Sequence, residues 1–533
     1  MAMAGTGATI AVFLGLLRVK LPLLAPAQRY IVSRIDAFID GYQEPNNSWA
    51  DEFNGAFYPA SEVDQVDLTV VKGKVPIDLS GAYMRVGPNV AHWPPKKRTH
   101  VFDGDGFVHT VRIQGGKAVY HGQYIETPRY KFEQQEGEWF MRIGELHGLP
   151  GLAKIFLTVP MRQAQSGMTN KQTSTANTAL GITPEGHVWA LNEAGPPFRL
   201  QIQKNGKFKS VGYDDLSGTM LDMVSAHPKY DYRTGETFYH GKDLTSGQFY
   251  VGRTQDGKLQ EKANLPVGMG FQHDMFITTD YVVVIDGSVR FDPKGMPKKL
   301  PIWNFDPDRK LRFGVYDRNL NNMTADNFVW IEAPYAAEIV HTVFGSNEGD
   351  KITLWAPVGY YQEGQVEGIL GGVGPLKMKE VTIDVGAKSV TTVKVQGGEE
   401  FNTEFGRVRD DRVAQKTRYG FSSLQVGHGF DFRGIIKWDF DEKKRAAVIH
   451  FPEGVVGGEP VFIPSSGTSG DDGGYVSMFL WNQKTEKSSF ALFDAKTFSS
   501  EPIVELSVPR KVPLGFHGWW FSENDIDKNL AAK

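Results

Sequence analysis

The chain of 533 residues contains no cysteine. That absence removes disulfides, cysteine-ligated zinc, iron–sulfur clusters and thiol nucleophiles at once. It leaves the redox compartment open, and it requires any transition metal to be held by histidine and carboxylate. Also missing are a Ser-, Pro- or Gly-rich linker, a long charge run and a visible internal repeat. Long apolar runs are scarce. The strongest, Ile10 to Leu17, is interrupted by Arg18 and Lys20 and falls short of the ~20 residues that cross a bilayer. A secretory signal carries positive charge ahead of its apolar run, whereas here the charge follows. Residues 1–45 read as an apolar N-terminal segment. It suits an interfacial helix in one leaflet, a helix packed on the body, or a targeting piece later removed. The net charge of −4, with basic residues dispersed, argues against a nucleic-acid partner. Asn46-Asn47-Ser48 and Asn322-Met323-Thr324 are formal glycosylation sequons, of a kind that also arises by chance.

What is present is turn chemistry and short strands. Glycine numbers 59, and Gly115-Gly116, Asn205-Gly206, Asp256-Gly257 and Glu348-Gly349-Asp350 punctuate alternating or β-branched runs. Such runs include Asp67 to Val71, Val108 to Ile113, Tyr281 to Ile285, Lys351 to Trp355 and Ala446 to Phe451. Many short strands at this spacing predict an all-β barrel, sandwich or propeller. At this length a propeller fits best, because radial repetition adds strands without an open edge. Residues 46–533 therefore read as a single domain. Two stretches break the rhythm, 140–167 and 361–378, and read as helical or loop insertions capping one face and lining an apolar tunnel. Asp103-Gly104-Asp105-Gly106 lacks the spaced acidic ligands of a calcium loop and reads as a structural turn. Its neighbours His92, His100 and His109 read as polar or packing residues.

Four other histidines stand in short, unusual contexts: Ser225-Ala226-His227-Pro228-Lys229, Phe271-Gln272-His273-Asp274, Ile339-Val340-His341-Thr342 and Leu514-Gly515-Phe516-His517-Gly518. Pro228 fixes the backbone beside His227, and glycines flank the Phe516-His517 pair. Separations of tens to hundreds of residues cannot come from one helix face. They suit ligands converging from several blades on a central axis. Imidazole suits iron, copper, zinc and nickel, so the ligand type leaves the metal open.

Together with these segments, the stretches KGKVPIDLSGAYMRVGPN, HVFDGDGFVH, GGEPVFIP, DDGGY and GFHGWW, spread from about Gly73 to Trp520, resemble the carotenoid cleavage oxygenase family. The resemblance implies a seven-bladed β-propeller with non-haem Fe(II) on its axis, bound by His227, His273, His341 and His517 and by no carboxylate. It implies that Glu193, Glu404 and Glu459 stand behind three of those histidines. A carboxylate there fixes the tautomer and orientation of a ligating imidazole. Gly406 stands where the family usually has proline after the Glu404 segment. Thr178 matches a position near the open iron site and would shape O2 access.

The implied chemistry is O2-dependent scission of a conjugated C=C bond to carbonyl products. Stilbene-cleaving relatives typically carry a lysine immediately before the first of these glutamates, and this chain has Asn192. With the apolar N-terminus and the Met- and Leu-rich insertion, that favours a carotenoid or apocarotenoid, drawn from a membrane by peripheral contact. Stilbenes or alkenyl phenols come second and retinoid-type isomerisation third. A non-catalytic interaction propeller would give no reason for four histidines and three glutamates in these contexts. A four-histidine zinc hydrolase would need a general base near the metal, and the sequence offers no candidate.

Overall fold

The computed structural model describes residues 14–42, 55–146, 148–193, 195–219, 222–243, 246–292, 294–295, 302–365, 370–427, 429–468 and 470–532. The start of the apolar N-terminal run, the Asn46 sequon and residues 366–369 of the second insertion lie outside them.

Two-residue turns set the strand pattern. Gly115-Gly116, with φ of 57° and 73°, closes the hairpin of Asp105–Gln114 and Lys117–Tyr124. Asp256-Gly257, with φ of 52° and 65°, closes that of Phe249–Gln255 and Lys258–Leu265. Left-handed backbone at both turn positions matches the twist of the flanking strands. Repeated along the chain, such turns yield seven sheets of four to six strands and a small one of three among the described residues. Chain ends interlock across two of them. Gly518–Ser522 pairs with Gly81–Asn89 in the first sheet, while Thr69–Gly73 pairs with Val504–Val508 in the last.

The core lies between neighbouring sheets. Met84 and Val108 of the first sheet pack with Leu180 and Val188 of the second. Val283 and Phe313 of the fourth pack with Leu354 and Val381 of the fifth. Tyr83 and Val111 of the first meet Phe490 and Leu506 of the last. Each fully buried aliphatic or aromatic side chain contributes roughly 1.5–3 kcal/mol over exposure, so these layers lock neighbouring sheets together.

Much of the first insertion is helical. Gly148–Ala153, Lys154–Thr158 and Val159–Ser166 run as one helix, with a π-turn in the middle. Helix Ala25–Asp40 packs on it through Val32, Met161, Trp139 and Phe140. Ion pairs of Asp36 with Arg162 and of Lys154 with Asp40 clamp the two, and Lys154 also meets buried Glu145. In the second insertion, by contrast, Leu370–Gly371 adds in parallel to Trp303–Phe305, which pairs with Val289–Phe291. Gly372, at φ 77°, disfavours a helix there, and Trp303–Phe305 pairs the segment into a small sheet instead. The Asp103 turn is structural: its carboxylate accepts from the N–H groups of His100, Ile143 and Gly144 at 2.7–2.9 Å.

Candidate metal centre

Each of the four histidines stands one to three residues before an edge strand, and each on a different sheet. His227 precedes Lys229–Asp231, His273 precedes Met275–Ile277, His341 precedes Phe344–Glu348, and His517 precedes Gly518–Ser522. One ring nitrogen from each lies within 4.8 Å of the others. Nε2 of His273 is 3.0 Å from Nε2 of His227 and 3.1 Å from Nε2 of His341. Two nitrogens bound at ~2.1 Å to one metal, at a right angle, stand ~3.0 Å apart.

The opposite ring nitrogens fix the protonation. Nδ1 of His517 lies 2.9 Å from Glu459 Oε1, Nδ1 of His341 bonds Glu404 Oε2, and Nδ1 of His273 approaches Glu193 Oε1 at 2.8 Å. A proton given to a carboxylate at Nδ1 leaves a bare lone pair at Nε2. Lone pairs facing one another at 3 Å repel unless a cation stands between them. The donor set therefore fits a divalent transition metal, on chemistry internal to the site.

A profile of the retinal pigment epithelial membrane protein (RPE65) family matches residues 57–522. The chain belongs to the RPE65 family of carotenoid cleavage oxygenases. Its similar relatives include a carotenoid 9,10(9',10')-cleavage dioxygenase of Crocus sativus, 30% identical over 86% of each chain. Another is carotenoid 9,10(9',10')-cleavage dioxygenase 1 of Arabidopsis thaliana, 30% identical over 89% of this chain and 90% of its own. Among solved structures, Pseudomonas brassicacearum lignostilbene dioxygenase superposes with a TM-score of 0.74 at 22% identity, covering 90% of this chain and 99% of its own. A mutant of Synechocystis apocarotenoid oxygenase superposes at 0.70 and 22% identity, covering 87% and 97%.

Within this family member the three carboxylates are not equivalent. Glu459 is the most tightly held: Oε2 also accepts from Gly518 N at 2.8 Å and from Arg407 at 3.1 Å. Glu404 Oε2 also accepts from Phe405 N at 2.8 Å, and its Oε1 is buried without a partner among the described residues. Glu193 has the weakest support, with a side chain 38% exposed. Burial works against all three charges. At Glu459 the Arg407 guanidinium and His517 outweigh it and hold the carboxyl at about 2. His273 does the same for Glu193, also at about 2, and His341 holds Glu404 below its ordinary value. Burial, then the neighbouring imidazoles, push His227 well below its ordinary value. Burial also lowers His517, against the pull of Glu459. His341 is raised, because Glu404 outweighs burial.

The departure at Gly406 has a steric cause. A Cβ there would lie 2.1 Å from Val343 Cγ2, so proline does not fit. Phe405 beside it takes φ 52°, which sets its ring 5.4 Å from His341 and 5.0 Å from His517. Thr178 sits at the same corner. Its carbonyl accepts from His517 N at 3.2 Å, and its hydroxyl donates to Asn177 and accepts from Asn192. His92, His100 and His109 are engaged elsewhere, with Glu133 O, Phe102 N and the Tyr120 hydroxyl.

Two surroundings meet at the cluster. Phe271 stacks on His273 with 5.6 Å between centroids and leads to Trp303, while Phe102, Phe430 and Phe516 build an aromatic wall near His517. A pocket reaches His227, His341 and His517; apolar residues such as Phe276, Val343 and Trp519 line it, and Lys229, Asp274, Thr342, Arg407 and Asp410 add polar groups. Sequence reasoning assigned no role to Lys229, Asp274, Thr342 or Phe405. The available signal is their place, one or two positions after a ligand or a carboxylate behind one.

Proposed function

We propose that the chain is an oxidoreductase of the dioxygenase class that holds Fe(II) on His227, His273, His341 and His517. Its reaction is O2-dependent cleavage of a conjugated C=C bond in a carotenoid or apocarotenoid, giving two carbonyl products. The observation that carries this reading is the convergence of four imidazoles, three backed by carboxylates, in a metal-competent group that contains no carboxylate ligand among the described residues. Bound there, ferrous iron supplies open coordination positions for activating O2, with no organic cofactor.

The chain's own residues do the rest. Glu193, Glu404 and Glu459 hold Nδ1–H and keep Nε2 free for the metal. Phe271, Trp303 and the Phe405 ring keep the centre dry and give a polyene an apolar surface to lie on. Thr178, fixed on the backbone of His517, narrows access for O2. Adding O2 across one C=C bond to give two C=O groups transfers no proton, so no general acid or base is required.

The seven larger sheets serve as the blades of a seven-bladed β-propeller. Residues 46–533 form one catalytic domain, capped near 140–167 and 361–378. The inter-sheet core layers, including the one between the first and last sheets, support this arrangement. A carotenoid substrate is supported by the activities named for the plant relatives. It is also supported by Asn192, whose side-chain amide is engaged by Asn177 and Thr178 at 3.0 and 3.3 Å. No helix among the described residues is long and apolar enough to cross a membrane. Peripheral contact is supported instead by exposed Leu16, Val19, Leu23 and Leu24. Exposed Leu149 and Phe156 on the first insertion extend the patch, and Arg18 joins the two parts by a bond to Phe156 O at 3.0 Å.

The test is anaerobic iron loading, then aerobic incubation with β-carotene, a linear apocarotenal, resveratrol and isoeugenol, with products read by mass. Polyene-derived aldehydes that disappear in His227→Ala and His517→Ala are expected. Aldehydes from the phenolics alone would move the substrate to stilbenes or alkenyl phenols. A changed polyene geometry without scission would indicate retinoid-type isomerisation. No stoichiometric iron and no product would leave an interaction platform.

A further inference from the structure

His227 differs from its three partners: among the described residues no carboxylate pairs with its Nδ1. Its backbone N–H instead meets Ser225 Oγ at 3.3 Å, and Pro228 restricts φ just beyond it. Two residues on, Lys229 opens the edge strand and lines the pocket at the cluster, where its Nζ lies 2.7 Å from Asp274 Oδ1. Asp274 follows His273 directly. Its Oδ2 accepts from both the N–H and the hydroxyl of Thr342, each at 2.7 Å, and Thr342 follows His341 directly. Lys229 Nζ also reaches the Thr342 hydroxyl at 3.5 Å. One carboxylate thus gathers donors from the segments of two other histidines, and Met275 N supplies a further bond at 2.7 Å. The side chains are 17% exposed for Lys229 and 2% for Asp274, so water competes poorly for either.

We infer that Lys229, Asp274 and Thr342 form a brace that positions His227 through its strand, in place of the carboxylate its ring lacks, and ties three ligand segments into one unit. The inference rests on the metal site proposed above. These are positioning residues. They act through the backbone of the ligands, and the ion pair keeps both buried charges compensated. An ammonium is suited to the task because it joins acceptors on two ligand segments at once without offering a ligand atom to the metal.

The experiment uses the full chain loaded with Co(II), reading the visible ligand-field spectrum and the dissociation constant by chelator competition. Wild type is compared with Lys229→Met, Lys229→Arg, Asp274→Asn and the double variant Lys229→Met/Asp274→Asn. Lys229→Met is expected to weaken cobalt about 10- to 100-fold, the usual range for a lost outer partner of a ligand. Its ligand-field bands should shift and the melting of the metal-free protein should change little. Lys229→Arg should restore most of the affinity. The double variant should be no weaker than Asp274→Asn alone, since both remove one linkage. Unchanged affinity and spectrum in Lys229→Met, with a wild type that binds cobalt and cleaves substrate, would overturn the brace alone. The same follows if affinity falls only in parallel with global unfolding and Lys229→Arg fails to rescue it. A wild type that binds no metal would overturn the functional reading and the brace with it.

Discussion

His273, His341 and His517 are fixed from the far side of the ring, whereas His227 is fixed from its backbone. The first arrangement sets tautomer and orientation together, because a carboxylate accepting from Nδ1–H both aims the ring and defines which nitrogen is free. The second sets position alone and, among the described residues, leaves the Nδ1 side of the ring without a charged partner. The contrast shows how one site can combine strong donors with a ligand that burial and its neighbours keep neutral. It also separates two costs of losing a ligand: the lost metal bond, and the carboxylate stranded behind it.

The largest expected effect uses that separation. His341→Ala and His227→Ala should both abolish cleavage, by at least ~1000-fold, since each removes a proposed ligand to the metal that activates O2. Only His341→Ala leaves a buried carboxylate, Glu404, facing no imidazole. It should therefore also destabilise the metal-free protein by about 3 kcal/mol, and Glu404→Gln in that background should recover most of the loss. Equal melting curves for the two alanine variants would erase the distinction.

Next come the carboxylates themselves. Glu459→Gln should weaken metal binding most, toward ~100-fold, and Glu193→Gln least, near ~10-fold, with Glu404→Gln between them. The order follows their support: Glu459 also holds Gly518 and Arg407, whereas the Glu193 side chain is 38% exposed. Metal titrations of the three variants check it, and a reversed order would mean that the extra bonds of Glu459 do not matter.

Glu338 supplies the control, a buried carboxyl that lies three residues before His341 and pairs with no cation among the described residues. Oε2 accepts from Val289 N at 2.7 Å, and Oε1 has no partner there. Burial pushes it up from an ordinary 4.5 to about 8. The folded protein therefore keeps this proton between those values while the unfolded chain loses it. Its contribution to stability falls as pH rises through that window and levels off above it. Glu338→Gln should remove the slope and raise the melting midpoint by a few degrees at pH 8, with little change at pH 5. No difference at pH 8 would mean that the group is solvated.

Much of the fold class could be read from the chain because glycine turns between β-branched runs are local signals. The hairpins at Gly115-Gly116 and Asp256-Gly257 appear where those residues predict them. The four histidines and the carboxylates Glu193, Glu404 and Glu459 were legible through short segments whose order matches a family. Their partnership is long-range: Glu404 and His341 are brought together by adjoining sheets, and no local pattern encodes that. The brace escaped for the same reason, since Lys229, Asp274 and Thr342 look like ordinary strand-end polar residues until three segments converge. The two-residue strand Leu370–Gly371 in the second insertion has no local signal, because it depends on the distant strand Trp303–Phe305. The apolar N-terminal segment allowed both packing and exposure, and residues 14–42 do both: Val32 is buried while Leu23 is 95% exposed.

The most direct test of the central claim is X-ray absorption of the ferrous-loaded full-length protein, counting imidazole nitrogens around the metal. The account predicts four imidazoles and no protein carboxylate oxygen, falling to three in His227→Ala. Three or fewer imidazoles in the wild type, or a glutamate oxygen bound directly to iron, would contradict it.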